Sequence, residues 1–230
     1  QATSPTPVPG MTEVMQVSTG EFFTCARFES GALSCWGDNR TGQLGDGTTT
    51  NASSPQPVQG VLRAIEVSAG TSHTCALMQN GSVQCWGSGT QGQLGNGGVS
   101  DSLTPVDVVN VVEAESVSTG FVHTCAQLST GRIACWGSGS SGRLGNADTA
   151  DQPTPVQVLG VLNAVAVASG TEHTCALLAT GVVRCWGRGE KGQLGDGTNS
   201  DSSTPVNVSG ISNAIALATG FTHTCALLET

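Results

Sequence analysis

Apolar and polar residues alternate along this chain in short runs, and period-two alternation over four to eight residues marks half-buried strands. Ala64 to Ala69 reads as such a strand, stopped at Gly70; Ser72 to Met78 and Ser82 to Trp86 read as two more around Asn80-Gly81, and a fourth runs near Pro105 to Val109. The set then returns every 50 residues without insertion or deletion. Gly20, Gly70, Gly120, Gly170 and Gly220 keep the beat, as do Leu44, Leu94, Leu144 and Leu194, and the Cys-Trp-Gly triplets that begin at Cys35, Cys85, Cys135 and Cys185.

Four short strands per 50 residues, separated by Gly and Asp/Asn turns, are the signature of a propeller blade. The expectation is an all-β chain, a β-propeller of four-stranded blades, with four complete repeats and a partial fifth across a single repeat domain, residues 1–230. Residues 1–10 match an outer strand and would close the last blade; residues 211–230 supply its first two strands, Ile211 to Thr219 and Thr222 to Leu228.

Glycine sets the hairpin register. Gly31, Gly81, Gly131 and Gly181 each fall one residue past the midpoint between two cysteines, which suits a three-residue loop with Gly in the left-handed bulge position. In that register Cys75 stands opposite Cys85 as a non-hydrogen-bonded pair, close enough for a cross-strand disulfide. The same holds for Cys25/Cys35, Cys125/Cys135 and Cys175/Cys185, and leaves Cys225 without a partner. Stable disulfides belong to oxidising compartments, which predicts a secreted or cell-surface protein. A zinc reading is weaker: two thiolates ten residues apart in a hairpin, even with His73, make no closed zinc pattern.

Composition narrows the function classes. With 32 Gly, no Tyr and 11% charged residues, the chain suits a turn-rich β protein. A net charge of -9 with eight scattered basic residues argues against nucleic acid and anionic membrane surfaces. No apolar run reaches membrane-spanning length, and QATSPTPVPG lacks the features of a signal peptide. No catalytic triad, carboxylate dyad or phosphate loop stands outside the repeat, so the expectation is a non-enzyme with no cofactor and no metal.

The pattern V-S-A-G-x-x-H-T-C-A-L at 67–77, followed by C-W-G-x-G-x-x-G-Q-L-G at 85–95, resembles the repeat of the regulator of chromosome condensation family. The resemblance covers essentially the whole chain. It implies a propeller of four-stranded blades, seven in the best-known members, closed by strands from both chain ends. Members include a nuclear guanine-nucleotide exchange factor and a secreted propeller that inhibits β-lactamases. No loop residue of the exchange factor can be matched here, and the cysteine pairs depart from the nuclear pattern.

Repeated residues read as scaffold. His73, His123, His173 and His223 are expected to be hydrogen-bonded structural histidines, with Phe23 at the same position in the first repeat. Trp36, Trp86, Trp136 and Trp186 are expected to fill the gaps between blades. Asp/Asn-Gly loops followed by Asn51, Asp101, Asp151 and Asp201 could suggest calcium, but they lack dense alternating carboxylates and fit ordinary turn chemistry. Asn39, Asn51, Asn80 and Asn207 begin glycosylation triplets, so glycosylation is a possibility.

The C-terminal edge is the irregular feature. Three readings stay open: a piece of a longer propeller, an imperfect five-bladed ring, or an edge formed by Thr222, His223, Thr224, Cys225, Ala226, Leu227 and Leu228 that takes a strand from a neighbour. A donor and an acceptor end on one chain make a heterologous contact that grows into a filament or tube when it does not close. The preferred expectation is an extracellular structural protein whose partners are other copies of itself. The alternative is a secreted protein-binding or inhibitory propeller using its variable loops, with nucleotide exchange last. Short, uniform loops with few hot-spot residues favour assembly.

Overall fold

The computed structural model describes residues 7–230. Eighteen strands follow in chain order. The first blade comprises β1 (Val14–Thr19), β2 (Phe23–Phe28), β3 (Leu33–Gly37) and β4 (Ala52–Pro57); the second, β5 (Ala64–Ala69), β6 (His73–Met78), β7 (Val83–Gly87) and β8 (Ser102–Asp107). The third holds β9 (Ala114–Thr119), β10 (His123–Leu128), β11 (Ile133–Gly137) and β12 (Gln152–Gln157); the fourth, β13 (Ala164–Ser169), β14 (His173–Leu178), β15 (Val183–Gly187) and β16 (Ser202–Asn207). A fifth sheet has two strands, β17 (Ala214–Thr219) and β18 (Thr224–Leu228). Every sheet is an antiparallel meander in sequence order, and consecutive first strands pack side by side.

This all-β propeller of 50-residue blades is the expected class, and several boundaries move. The fourth strand of the second repeat runs Ser102–Asp107 rather than from Pro105, because pairing of Gly87 with Ser102 starts it earlier. Pro105 is tolerated since the outer strand has a free edge. In the last unit the strands are Ala214–Thr219 and Thr224–Leu228, so Thr222 and His223 precede the edge strand. Elsewhere the second strand begins at the histidine position because that residue pairs with a glycine of the third strand, as His73 does with Gly87, and His223 has no such partner. Of the segment expected to be an outer strand, residues 1–6 lie outside the described residues, and Pro7 to Gly10 lead through irregular backbone into a turn.

The hairpin register is as read. Leu77 pairs with Val83, the Met78 N–H donates to the Ser82 carbonyl, and Gly81 takes φ +78°. Cys75 lies opposite Cys85 with Cα atoms 4.1 Å apart, the short spacing of a non-hydrogen-bonded pair, and all four pairs are disulfide-bonded with the same separation. The eight half-cystines are wholly buried.

The core lies between blades rather than within them. Residues His73 to Leu77 of β6 are buried on both faces, and β10 and β14 repeat this. Each of three clusters joins one blade's leucine and valine to the next blade's indole: Leu44 and Val58 with Trp86, Leu94 and Val108 with Trp136, Leu144 and Val158 with Trp186. The three rings have no exposed surface. Burying a side chain of this size contributes roughly 2–3 kcal/mol, so each blade is held chiefly by its neighbour.

Candidate functional site

The repeated polar residues tie blade to blade. The hydroxyl of Thr124 donates to the Gln93 carbonyl at 3.1 Å, so its bond to His73 Nε2 at 2.9 Å must be one it accepts. That fixes the tautomer with the proton on Nε2 and leaves Nδ1 bare and buried. The same pairing joins His123 to Thr174 and His173 to Thr224, each at 2.9 Å. Burial holds His73 down at about 4 and drives His123 well below its ordinary value, keeping these rings neutral. The indole N–H groups of Trp86, Trp136 and Trp186 donate to the carbonyls of Gln43, Gln93 and Arg143 at 3.0, 2.9 and 2.9 Å.

The acidic loop residues act as loop staples. Asp101, Asp151 and Asp201 each accept the backbone N–H of a glycine twelve residues earlier, Gly89, Gly139 and Gly189, and Asn51 accepts that of Asn39. Among the described residues no cluster of three or more His, Cys, Asp or Glu is placed to hold a metal ion. Asn39 is fully buried, its amide donating to Asp46, Thr48 and Thr50, so its glycosylation triplet presents no free nitrogen in the folded chain. Asn80 is exposed at a hairpin tip, with its carbonyl oxygen accepting from Ser82.

Two arrangements were not read from the sequence. One is a ladder of side chains on the first strands that cap the backbone of the next first strand. Gln16 bonds the N–H and carbonyl of Val67, Ser18 accepts from Ala69, Glu66 from Val117, Ser68 from Thr119 and Ser118 from Ser169. Polar residues two apart in β1 and β5 were the available signal. The second is a paired departure from the repeat. Arg143 stands where other repeats carry Gln43, Gln93 and Gln193, and Glu172 where they carry Phe22, Ser72 and Val122. The buried Arg143 guanidinium reaches Ser140 O at 2.8 Å and Glu172 at 3.2 Å, and Arg188 pairs with the same carboxylate from outside.

The site that stands out is the fifth sheet. Among the described residues β18 pairs only with β17, Cys225 is an exposed free thiol, and Leu227 and Leu228 are exposed apolar residues. Beneath it, Leu194, Gly195 and Val208 border a cavity of about 210 Å³. Of the seven residues expected at the edge, Thr224 to Leu228 form the strand, while Thr222 and His223 line the cavity mouth.

Comparison with known proteins agrees with this architecture. The profile described as "Regulator of chromosome condensation (RCC1) repeat" matches residues 30–77, 80–127, 130–177 and 180–227, and a second profile of the same description matches 14–43, 64–93 and 164–193. No curated protein matches by sequence. Similar solved structures include yeast RCC1 (Prp20) bound to Kap60, at 21% identity and a TM-score of 0.84 over 97% of this chain and 56% of that one. Human WBSCR16 is 22% identical with a TM-score of 0.85, over 94% of this chain and 58% of that one. The CRINKLY WD40 ectodomain of the Arabidopsis thaliana receptor kinase ACR4 is 21% identical with a TM-score of 0.58, over 96% of this chain and 63% of that one. The chain thus spans a little over half the length of these proteins, and the likeness at such identity is one of fold.

Proposed function

From the premise that this chain belongs to the regulator of chromosome condensation (RCC1) repeat family, we propose that it is a non-enzymatic, protein-binding propeller of an oxidising, extracellular compartment, which joins other copies of itself through the edge of β18. The observation that carries this reading is that β18 pairs, among the described residues, with β17 alone, since an unpaired strand edge is a template for strand addition. The four buried disulfides support the compartment. On the same reading Asn51, Asn80 and Asn207, which are exposed, are the candidate glycan acceptors, while Asn39 is enclosed. Particles of native material imaged by electron microscopy, with mass from light scattering, should be filaments or tubes; monomers alone would remove the assembly.

A second reading, a secreted binding or inhibitory propeller, is favoured by the charged group Arg143, Glu172, Arg188 and Glu190, in which a loop of the third blade meets two loops of the fourth. It expects a discrete complex with a different protein in a pull-down from secreted material. Yeast RCC1, a fold relative, is seen bound to a protein partner, Kap60. Nucleotide exchange is placed last, because no loop residue here has been assigned to it; it expects free thiols and accelerated nucleotide release from a small GTPase.

A further inference from the structure

The connection from the last strand of one blade to the first strand of the next carries an outward aliphatic side chain. Leu62, Val112 and Leu162 hold this position before the second, third and fourth blades, with relative exposures of 74%, 72% and 58%. Thr12 and Ser212 hold it before the first and fifth, so the fold does not require an apolar residue there. The following residue is left-handed, at φ +62° for Arg63 and +56° for Glu113, which makes the turn tight. Each turn is also clamped between two hairpins. The Arg63 carbonyl accepts from Gln79 of its own blade and the Ala64 N–H donates to Gly31 of the blade before; Glu113 and Ala114 repeat this with Ser129 and Gly81. Since consecutive first strands pack side by side, these tips stand fixed along one end of the propeller. Charge changes sign along them. Arg63 and Glu113 occupy the same repeat position in neighbouring blades, both exposed, and among the described residues neither makes an ion pair. Leu62 and Arg63 further wall a groove of about 770 Å³ with Met78 and Gln79.

An aliphatic knob, a groove and two opposite charges on one end make that end complementary to itself. A two-fold axis lying in its plane, between the second and third blades, sets each second-blade turn on the third-blade turn of another copy. Arg63 then faces the partner's Glu113, Leu62 faces the partner's Val112 beside the groove, and each contact occurs twice. We propose that this end of the propeller is an isologous docking surface for a second copy of the chain, held by Leu62 on Val112 and oriented by Arg63 on Glu113. The aliphatic contact supplies affinity and the charge pair fixes the register. A copy of the chain is the occupant because neighbouring turns of opposite sign pair off across such an axis, whereas an anionic lipid surface would repel Glu113 and Glu115. The surface shares no residue with the β18 edge, so this contact is separate from edge pairing. Asn80 lines the same groove, so a glycan there and a second copy exclude one another.

The substitutions that test this already stand at the same positions in other repeats, so each fits its turn. Arg63→Glu copies Glu13 and Glu113, Glu113→Arg copies Arg63, and Leu62→Ser with Val112→Ser copies Ser212. Sedimentation velocity of glycan-free protein over a concentration series should show a two-copy species. Arg63→Glu alone and Glu113→Arg alone each set like charges against one another and should weaken it at least about ten-fold. The double variant restores opposite charges and should return the dissociation constant to within about three-fold of the parent's. The paired serine variant should weaken it at least about ten-fold by removing the aliphatic contact. Edge pairing at β18 is untouched in all these proteins, so a difference among them reports this face alone. A parent without the two-copy species, a double variant as weak as its singles, or equal association throughout would each overturn the proposal. Co-sedimentation with phosphatidylcholine vesicles covers the competing occupant: binding by the parent that the serine variant loses, with no two-copy species, assigns the face to a lipid surface and overturns it as well.

Discussion

At the scale of single residues, the buried imidazoles make stability depend on pH. His73 is neutral in the fold, held at about 4 against an ordinary 6.5, so between these values the unfolded chain binds a proton that the folded chain refuses. Its contribution is complete above 6.5 and is lost as pH falls toward 4, at up to about 1.4 kcal/mol per pH unit. His73→Phe, which copies the Phe23 of the first repeat, should cost about 1 kcal/mol at neutral pH through the lost bond to Thr124 and flatten the acid decline. Urea midpoints from pH 7 down to about 4.5 measure both effects. A second expectation concerns backbone strain. Arg63 sits at φ +62°, pinned because its carbonyl accepts from Gln79 and the next residue's N–H, that of Ala64, donates to the Gly31 carbonyl. Asn163, one of its counterparts, already carries a residue type that tolerates this region. Arg63→Asn should therefore raise the unfolding free energy by about 0.5–1 kcal/mol, read as a higher urea midpoint. The scaffold role of the histidines was legible because they repeat. Their tautomer was not, since it depends on a threonine 51 residues on and a carbonyl in another loop.

At the scale of elements, each hairpin carries a disulfide and each first strand leans on the one before. Replacing both Cys125 and Cys135 by Ala should cost about 2–3 kcal/mol in an equilibrium melt, since the bridge closes a loop whose sequence separation is 10. The side-chain ladder thins along the chain. Glu66 and Ser68 cap β9, Ser118 alone caps β13, the Ser116 hydroxyl is buried without a partner, and Ala166 and Ala168 offer β17 no acceptor. Amide exchange should accordingly be faster at Leu217 and Thr219 than at Val117 and Thr119, and Ala168→Ser should slow it at Thr219. Strand number and hairpin register were legible from glycine and cysteine positions. The ladder was not, because side chains of β1 and β5 meet strands about 50 residues away that no local pattern links to them.

At the scale of the whole molecule, the chain is a row of blades that stabilise one another in sequence, with unlike ends. The exposed Val17, whose counterparts Val67 and Val117 are buried, marks the face of the first blade, which packs against no preceding blade among the described residues, and the exposed Leu227 marks that of the last. On the proposed self-association, joining copies would have to overcome repulsion, since the 230-residue chain carries a net charge of -9. Assembly should therefore strengthen between about 0.01 and 0.15 M salt, as the screening length falls from about 30 to 8 Å, and light scattering across that range measures it.

The sequence by itself determined the blade, its register and its disulfides, because these follow from spacings within one 50-residue repeat. It also put Cys225 at the position that is the first of a disulfide pair in the four complete repeats. Only the tertiary structure decided what the repeat is for physically. It placed each of Trp86, Trp136 and Trp186 in the neighbouring blade's core, turned the loop acids into staples and enclosed Asn39. Those outcomes depend on which groups from separate repeats meet, and that is set by the packing of blade on blade.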